Sequence, residues 1–335
     1  MQAVIIAGGL GTRLRPLTFN RPKALVPLVN RPQILHILDR LPPAVDEVFV
    51  AVNYMFERVR DFFAETDVGR SVEVVEEATP LGTGGAVRNV ANRISGTFAV
   101  YNGDVVDGLE FSRFLAFHRK QKALATIALK EVEDPTPFGI AAMDGTRITR
   151  FVEKPSAPEA PSRLANAGRY IFEPEVLDEI PAGKPVSMET EVFPMLAKKG
   201  LHGFVFDGYW SDAGTLGGYL TATSLLLANG AAGVAPGAKV KRARLDGPVQ
   251  ISDGCTVSGR VGPDVVLGPR CTIDEATISR SALLEAASAE AGAVISGSIV
   301  GEDASIGPDA TVEDSIIGDG VRVKKGRRVV KERMA

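Results

Sequence analysis

Hydrophobic positions along this chain follow two rhythms, and the change between them falls near Gly230. From Ala3 to Ala7 an unbroken apolar run ends in glycines, the pattern of a strand buried on both faces. Ile34, Leu35, Ile37, Leu38 and Leu41 then recur at helical spacing. Val48 to Val52 predicts a second strand and Phe56 to Phe63 a helix. Val72 to Val75 and Phe98 to Tyr101 predict further strands, with a helix from Ala86 to Ile94 between them. Such alternation predicts right-handed crossovers and a mostly parallel sheet with helices on both faces. Ligands of these sheets sit beyond the carboxyl ends of the strands, so the chemistry is expected just after each one. A Leu-rich helix from Thr221 to Ala228 leads out of this region.

Beyond Gly230 helical periodicity disappears. Aliphatic residues recur at every sixth position: Ile251 and Val257; Val261, Leu267 and Ile273; Val300, Ile306 and Val312; Ile317 and Val323. So short a period belongs to a solenoid of stacked short strands. The pattern resembles the left-handed parallel β-helix of hexapeptide-repeat proteins, in which the aliphatic side chain points into a triangular prism. The phase slips between Ser279 and Ala293, which predicts a longer loop or a distorted coil there. The expected architecture is therefore α/β: a Rossmann-like, mostly parallel sheet domain over 1–229, then a left-handed parallel β-helix over 230–335.

Composition narrows the function classes. With 335 residues, 45% hydrophobic and 24% charged, the chain has the make-up of a globular protein of two domains. A net charge of -3 and a pI near 5.8 give no basic balance for nucleic acid. Cys255 and Cys271 are too few for a disulfide framework and have no metal-ligand spacing, so two free thiols in a reducing compartment are expected. The N-terminal MQAVIIAGG lacks a basic n-region, and no apolar run approaches the ~20 residues that span a membrane. A soluble cytoplasmic protein is the expectation.

The decisive segment follows the first strand: Gly8-Gly9-Leu10-Gly11-Thr12-Arg13-Leu14-Arg15-Pro16-Leu17-Thr18, then Arg21-Pro22-Lys23. Its glycines let backbone N–H groups approach a phosphate. Arg13 adds a fork of donors and Lys23 a compact positive charge. A dinucleotide fingerprint would need glycine where Arg13 stands, and no Walker G-K-[ST] ending is present. The segment resembles the signature of the nucleoside-diphosphate-sugar pyrophosphorylases. The similarity continues in order through Pro80-Leu81-Gly82-Thr83-Gly84-Gly85, Asn102-Gly103-Asp104, Phe138-Gly139, Phe151-Val152-Glu153-Lys154-Pro155, Asn166-Ala167-Gly168 and Tyr209-Trp210-Ser211-Asp212-Ala213-Gly214. Within that family, Ser187-Met188-Glu189-Thr190-Glu191-Val192-Phe193-Pro194 looks most like the mannose-1-phosphate guanylyltransferases.

The resemblance implies a reaction and a cast. A sugar-phosphate oxygen attacks the α-phosphorus of a nucleoside triphosphate, and pyrophosphate leaves opposite. Two anions must meet, so positive charge and alignment are the main requirements. Arg13 would stabilise the triphosphate and the departing pyrophosphate, and Lys23 the α-phosphate. Gly9, Leu10, Gly11, Thr12, Glu77, Gly82 and Thr83 would hold the nucleotide. Lys154 would meet the sugar phosphate; Glu153, Asn166 and the backbone of Gly139 would hold the sugar. Asp104 and Asp212 would hold one Mg²⁺ between them, a cation that prefers oxygen ligands.

The base is legible through one position. In the thymidylyl branch a Gln five residues before the glycine matching Gly82 reads the base edge; here that residue is Glu77. An ionised Glu only accepts hydrogen bonds, which suits the adjacent N1–H and N2–H donors of guanine and opposes the carbonyls of thymine. GTP with mannose 1-phosphate is thus the leading expectation, with dTTP or UTP and glucose 1-phosphate the alternative. A non-catalytic paralogue that binds nucleotide sugar is a third reading, although it would be expected to lose some of Arg13, Lys23, Asp104, Lys154 and Asp212. The histidines His36, His118 and His202 all precede the tail, so acyl transfer by the β-helix is not expected. Its expected role is homo-oligomer assembly, because open solenoid coils expose edges that a copy could cover. The basic C-terminal run from Arg322 to Arg333 reads as a solvated chain end.

Overall fold

The computed structural model describes Met1–Ala335. It divides into two compact units: Met1–Gly9 with Ile34–Trp210, and Leu10–Gln33 with Ser211–Ala335. The boundary expected near residue 229 marks a change of sequence pattern; the compact units are cut elsewhere, and the glycine-rich loop divides between them after Gly9.

The first unit is built on a nine-stranded sheet. Its strands lie in the order Ser71–Glu76, Glu47–Val52, Gln2–Ile6, Phe98–Asn102, Leu164–Phe172, Ala125–Glu131, Leu201–Val205, Arg147–Glu153 and Gly139–Asp144. The first four are parallel, with Val4 beside both Phe49 and Val100. The inner strands are buried on both faces, with Val4, Val48, Val50, Phe98 and Val100 showing no exposed surface, while the edge strand Ser71–Glu76 exposes Glu73 and only half-buries Val72 and Val74. Helices Phe56–Glu65 and Gly82–Asn89 form the expected crossovers, the second starting earlier than its apolar spacing suggested. Leu164–Phe172 departs from the parallel pattern. It runs antiparallel to both Phe98–Asn102 and Ala125–Glu131, and it carries an irregularity between Asn166 and Tyr170. That break takes Ala167 and Gly168 out of the ladder, immediately after the paired Asn166.

In the second unit a helix, Leu216–Leu226, leads into stacked parallel strands. Ile251, Leu267, Leu283, Val300, Ile317 and Met334 lie in register along one face. Val257, Ile273, Ala289, Ile306 and Val323 line a second. Val261, Ile278, Ile295, Val312 and Val329 line a third. Three in-register apolar columns make a parallel β-helix. No loop interrupts it between Ser279 and Ala293, contrary to expectation. Strands Ser281–Leu283, Ser288–Ala289 and Val294–Ser296 continue the ladders. The phase slipped because the column residues Ile273, Ile278 and Leu283 follow one another at five residues instead of six, and Ala289 then takes the column place held by Ile273 and Ile306.

In the last coils the repeat is seventeen residues, as the serine ladder of Ser281, Ser298 and Ser315 shows. Each hydroxyl accepts the N–H one coil later, of Ser298, Ser315 and Glu332, at 3.0–3.1 Å. Each also donates to the carbonyl two residues before it. A coil one residue short of three hexapeptides leaves a backbone donor turned inward, and the serine satisfies it. Asp303, Asp309 and Asp314 turn corners at positive φ, which Asp tolerates better than most side chains. The two cysteines are free and buried, each thiol donating to a backbone carbonyl.

Candidate active site

In the first unit the carboxyl ends of the parallel strands come together through the backbone. Gly103 N donates to Ile6 O and Glu77 N to Val52 O, at 2.9 and 2.8 Å. Asn53 Nδ2 donates to Glu77 O at 2.7 Å. Residues after four different strands, Gly8, Asn53, Glu77 and Gly103, therefore share one edge, as the sheet topology predicted.

Glu77 lies just past its strand and is only 4% exposed, while Glu76 beside it faces outward. Strand alternation thus selects Glu77. Its Oε2 accepts Leu81 N–H at 3.1 Å, and its Oε1 is buried with no partner. Burial raises its pKa above the ordinary carboxylate value, against the smaller opposing effect of the Leu81 bond. A Cβ on Gly8 would come within 2.9 Å of Oε1, so the glycine leaves that oxygen its space. Gly9 has no heavy atom within 4 Å of where a Cβ would stand.

The Leu81–Gly85 turn is fixed from the other side by Val186. Val186 O accepts from Gly84 N and Gly85 N at 2.9 and 3.2 Å. Gly82 sits at φ 69°, and a Cβ there would lie 2.6 Å from Val186 O. Thr83 does not present an idle hydroxyl: it donates to Glu189 Oε2 at 2.7 Å and accepts from Met188 N at 2.8 Å. Glu189 also receives Ser187 Oγ at 3.1 Å, so the Ser187–Glu191 segment is tied to the nucleotide turn.

A second group of predicted residues gathers around Glu153. It faces Gly139 in antiparallel register, and a Cβ on Gly139 would strike Phe151 at 2.5 Å and Glu153 Oε2 at 2.7 Å. Burial, and then the negative charge of Glu189, hold the Glu153 carboxyl above its usual range. Lys154 follows at φ 45°, its ammonium 3.4 Å from Glu153 Oε1 and its side chain 64% exposed. Asn166 accepts from Gly168 N at 2.9 Å and donates to the Tyr170 hydroxyl at 3.0 Å. Gly168 at φ 69° packs against Asn102, whose Oδ1 is buried without a partner. Orphaned acceptors on Glu77 and Asn102 are the mark of a surface that awaits a donor-bearing ligand.

Asp104 stands between two clamped carbonyls. Arg169, 2% exposed, donates from Nη1 to Asn102 O at 2.9 Å and from Nη2 to Val105 O at 2.6 Å. Its Nε donates to Asp107 Oδ2 at 2.7 Å, and the guanidinium lies 4.7 Å over the Tyr101 ring. No local spacing marks this residue, which follows Asn166-Ala167-Gly168 directly but looks like any other charge in the chain. Glu189 was similarly visible only as part of a resemblance.

In the second unit Arg13, Lys23 and Asp212 converge on Gly214. A Cβ at Gly214 would lie 2.5 Å from Lys23 Nζ, 2.7 Å from Asp212 Oδ1 and 3.1 Å from Arg13 Nη2. Asp212 Oδ1 accepts Gly214 N–H at 2.7 Å, and its Oδ2 lies 4.0 Å from Arg13 Nη2. Gly11, at φ 62°, lets the chain pass Thr18 and Lys23, and its carbonyl accepts Thr18 Oγ1 at 2.9 Å. Thr12 opens a single 3₁₀ turn through Leu14, and Leu10 is 47% exposed. Two cations and one carboxylate around a glycine can bind a polyphosphate and contribute to a hard metal ion.

The nucleotidyl transferase family model matches residues 2–229, and a model described as GMPPB C-terminal domain matches 234–334. The chain belongs to the nucleotidyl transferase family. It is 37% identical to mannose-1-phosphate guanylyltransferase of Mycobacterium tuberculosis, over 97% of this chain and 82% of that one. It is likewise 37% identical to mannose-1-phosphate guanyltransferase of Schizosaccharomyces pombe, over 96% of this chain and 92% of the relative. Among solved structures, a putative glucose-1-phosphate thymidylyltransferase from Bacillus anthracis superposes with a TM-score of 0.61 at 25% identity, covering 67% of this chain and 94% of that one. HddC from Yersinia pseudotuberculosis, complexed with GMP-PN, gives a TM-score of 0.56 at 26% identity, covering 66% and 97%. No helix is long and apolar enough to cross a membrane.

Proposed function

We propose that this protein transfers a guanylyl group from GTP to mannose 1-phosphate, giving GDP-mannose and pyrophosphate. The observation that carries the choice of base is Glu77: a buried carboxylate with one unpartnered oxygen at the nucleotide edge of the sheet. Guanine presents two adjacent donors to such a group, and thymine or uracil one donor between two acceptors. The named relatives support the same substrates.

In this reading the phosphate oxygen of mannose 1-phosphate attacks the α-phosphorus in line, and the bond to the β-phosphate oxygen breaks as the new P–O bond forms. Pyrophosphate carries away the electron pair. Arg13 and Lys23 hold the triphosphate and offset the charge that develops on the α-phosphoryl oxygens and the leaving group. Lys154, extended and exposed, meets the incoming sugar phosphate. Glu153, Asn166 and the Gly139 backbone take the sugar hydroxyls. Asn102 Oδ1, the second orphaned acceptor, is a further candidate for a hydroxyl.

Asp104 and Asp212 are the carboxylates proposed for Mg²⁺. Mg²⁺ is commonly held by one or two carboxylates together with substrate phosphates. When bound it would neutralise phosphate charge. Assembly into a homo-oligomer through the β-helix belongs to the same reading, and sedimentation of the full chain tests it.

The primary test is pyrophosphate release by the purified protein with Mg²⁺, across GTP, dTTP, UTP and ATP against mannose and glucose 1-phosphates. Preference for GTP with mannose 1-phosphate is expected. Preference for dTTP or UTP with glucose 1-phosphate would discard the base assignment while leaving the reaction class in place.

A further inference from the structure

The segment that carries Arg13 and Lys23 has almost no regular structure of its own. Between Leu10 and Gln33 it consists of three single 3₁₀ turns, Thr12–Leu14, Leu17–Phe19 and Lys23–Leu25, and a tiny hairpin of Pro27–Leu28 with Arg31–Pro32. Pieces this short do not hold a shape unaided. Within the same compact unit, the helix Leu216–Leu226 holds it through the Tyr219 hydroxyl on Pro27 O, and the β-helix holds it at the contacts that follow.

Arg21 donates from Nη1 to Glu302 Oε1 and from Nη2 to Asp319 Oδ2, both at 2.6 Å. Its side chain is only 12% exposed and that of Asp319 17%. The two acids belong to successive coils, and Asp319 Oδ1 also accepts Glu302 N at 2.9 Å, so they form one prepared receptor. Pro16 packs on Gly318 beside it, where a Cβ would come within 2.9 Å of the proline ring. Farther along, Asn30 reaches earlier coils, donating toward Ser252 Oγ at 2.8 Å and Leu267 O at 2.9 Å.

We propose that Arg21 is a positioning residue for nucleotide binding: it fixes Lys23, and with it the phosphate-binding segment, to the β-helix. Only Pro22 separates the two residues, at φ -65° and ψ 148°, a stiff extended joint that passes the clamp directly to the Lys23 turn. A guanidinium fork matched to two carboxylates fixes direction as well as distance, which an ammonium cannot do. With Arg21 12% and Glu302 37% exposed, the ion pair is weak evidence for net stability, and the role inferred for it is the geometry it specifies. The charge count points the same way. Without Arg21, Glu302 and Asp319 would lose the one guanidinium that meets both of them.

This inference rests on the reading that Leu10–Gln33 binds the triphosphate, and the experiment separates the two. In the full-length protein, Arg21→Met, Arg21→Lys and the double variant Glu302→Gln with Asp319→Asn are compared with wild type. The readouts are KM for GTP, KM for mannose 1-phosphate, kcat, GTP affinity by calorimetry without sugar phosphate, and the thermal midpoint. An active wild type is required; an inactive one refutes the functional reading itself.

Arg21→Met is expected to lower kcat/KM for GTP by roughly ten- to a hundredfold, the scale of a misplacement near 1 Å. KM for mannose 1-phosphate is expected to stay within about twofold, because its proposed ligands lie elsewhere in the chain. Arg21→Lys should recover part of the loss. The double variant, with no buried charge left unbalanced except Arg21 itself, should shift GTP affinity in the same direction while remaining folded. GTP affinity and KM unchanged in either Arg21→Met or the double variant, with only the thermal midpoint lowered, would show a purely structural clamp and overturn the proposal. If Arg21→Met fails to fold, the double variant decides.

Discussion

Replacing Glu77 by Gln tests the base assignment and carries an opposite consequence for stability. Leu81 N–H needs an acceptor, so the amide oxygen is expected to take the place of Oε2 and leave Nε2 where the unpartnered Oε1 now lies. That puts a donor against the donors of guanine. A hydrogen bond to a charged group is worth about 1.5–3 kcal/mol, so losing one should cost about 2 kcal/mol, or roughly thirtyfold in kcat/KM for GTP. Toward UTP or dTTP the amide gains a base carbonyl as partner, worth about 1 kcal/mol. The ratio of kcat/KM for GTP over UTP should therefore fall by roughly a hundredfold, read from pyrophosphate release at subsaturating nucleotide. Stability should move the other way. Burial raises the pKa of Glu77, so the native state holds this proton more tightly than the unfolded chain, whose Glu titrates at about 4.3. Wild type then loses stability as pH rises from the unfolded value through the native one, and Gln does not. The thermal midpoint of Glu77→Gln should match wild type near pH 4.5 and exceed it at pH 8. An unchanged nucleotide ratio would refute Glu77 as the base reader, even if the stability gain appeared.

Arg169→Met should destabilise the protein by about 3–5 kcal/mol, since it leaves Asp107 buried without its cation; denaturant unfolding reads this. The same variant should bind Mn²⁺, a spectroscopic stand-in for Mg²⁺, more weakly by electron paramagnetic resonance, because the carbonyls on either side of Asp104 lose their clamp. Gly82→Ala must relieve a 2.6 Å approach to Val186 O at positive φ. A cost of about 1–3 kcal/mol in unfolding free energy is expected, with a raised KM for the nucleotide. Gly214→Ala would push a methyl group between Lys23 Nζ and Asp212 Oδ1. A fall in kcat with an unchanged thermal midpoint is expected there. Ser298→Ala should strand the buried N–H of Ser315 and cost about 1–3 kcal/mol, measured by calorimetric unfolding.

What the sequence made legible is local. Short apolar runs located the parallel strands, because the inner strands of such a sheet are buried on both faces. The six-residue period located the β-helix, because every core column needs one aliphatic per face. Glu77 could be chosen over Glu76 once the strand's alternation was known, and the structure buries Glu77 and exposes its neighbour. The illegible features are long-range and polar. Arg169 finds Asp107 across 62 residues, and Arg21 finds Glu302 across 281. In the sequence such residues look like surface charges, since no local spacing marks a partner so far away. The antiparallel insertion of Leu164–Phe172 is hidden for a related reason: its apolar run states that it is buried, not which strands flank it or in which direction. The regular coil through Ser279–Ala293 was missed because two successive five-residue faces, from Ile273 to Ile278 and from Ile278 to Leu283, break the six-residue count.

The places where the chain passes between its two compact units fall at Gly9–Leu10, Gln33–Ile34 and Trp210–Ser211. The first lies inside the phosphate loop and the third two residues from Asp212. A family boundary near 229 and a compactness boundary inside the loop are compatible, because they measure different things. The first follows where one inherited pattern ends; the second follows which residues hold each other in place. Glu302 and Asp319, the acids that meet Arg21, lie outside residues 2–229 that match the nucleotidyl transferase model. The clamp is accordingly a property of this two-part chain and not of the catalytic fold. The segment proposed to bind phosphate and the tail should tolerate change together: substitutions at Glu302 or Asp319 are expected to act on nucleotide binding through Arg21, although more than 280 residues of sequence separate them from it.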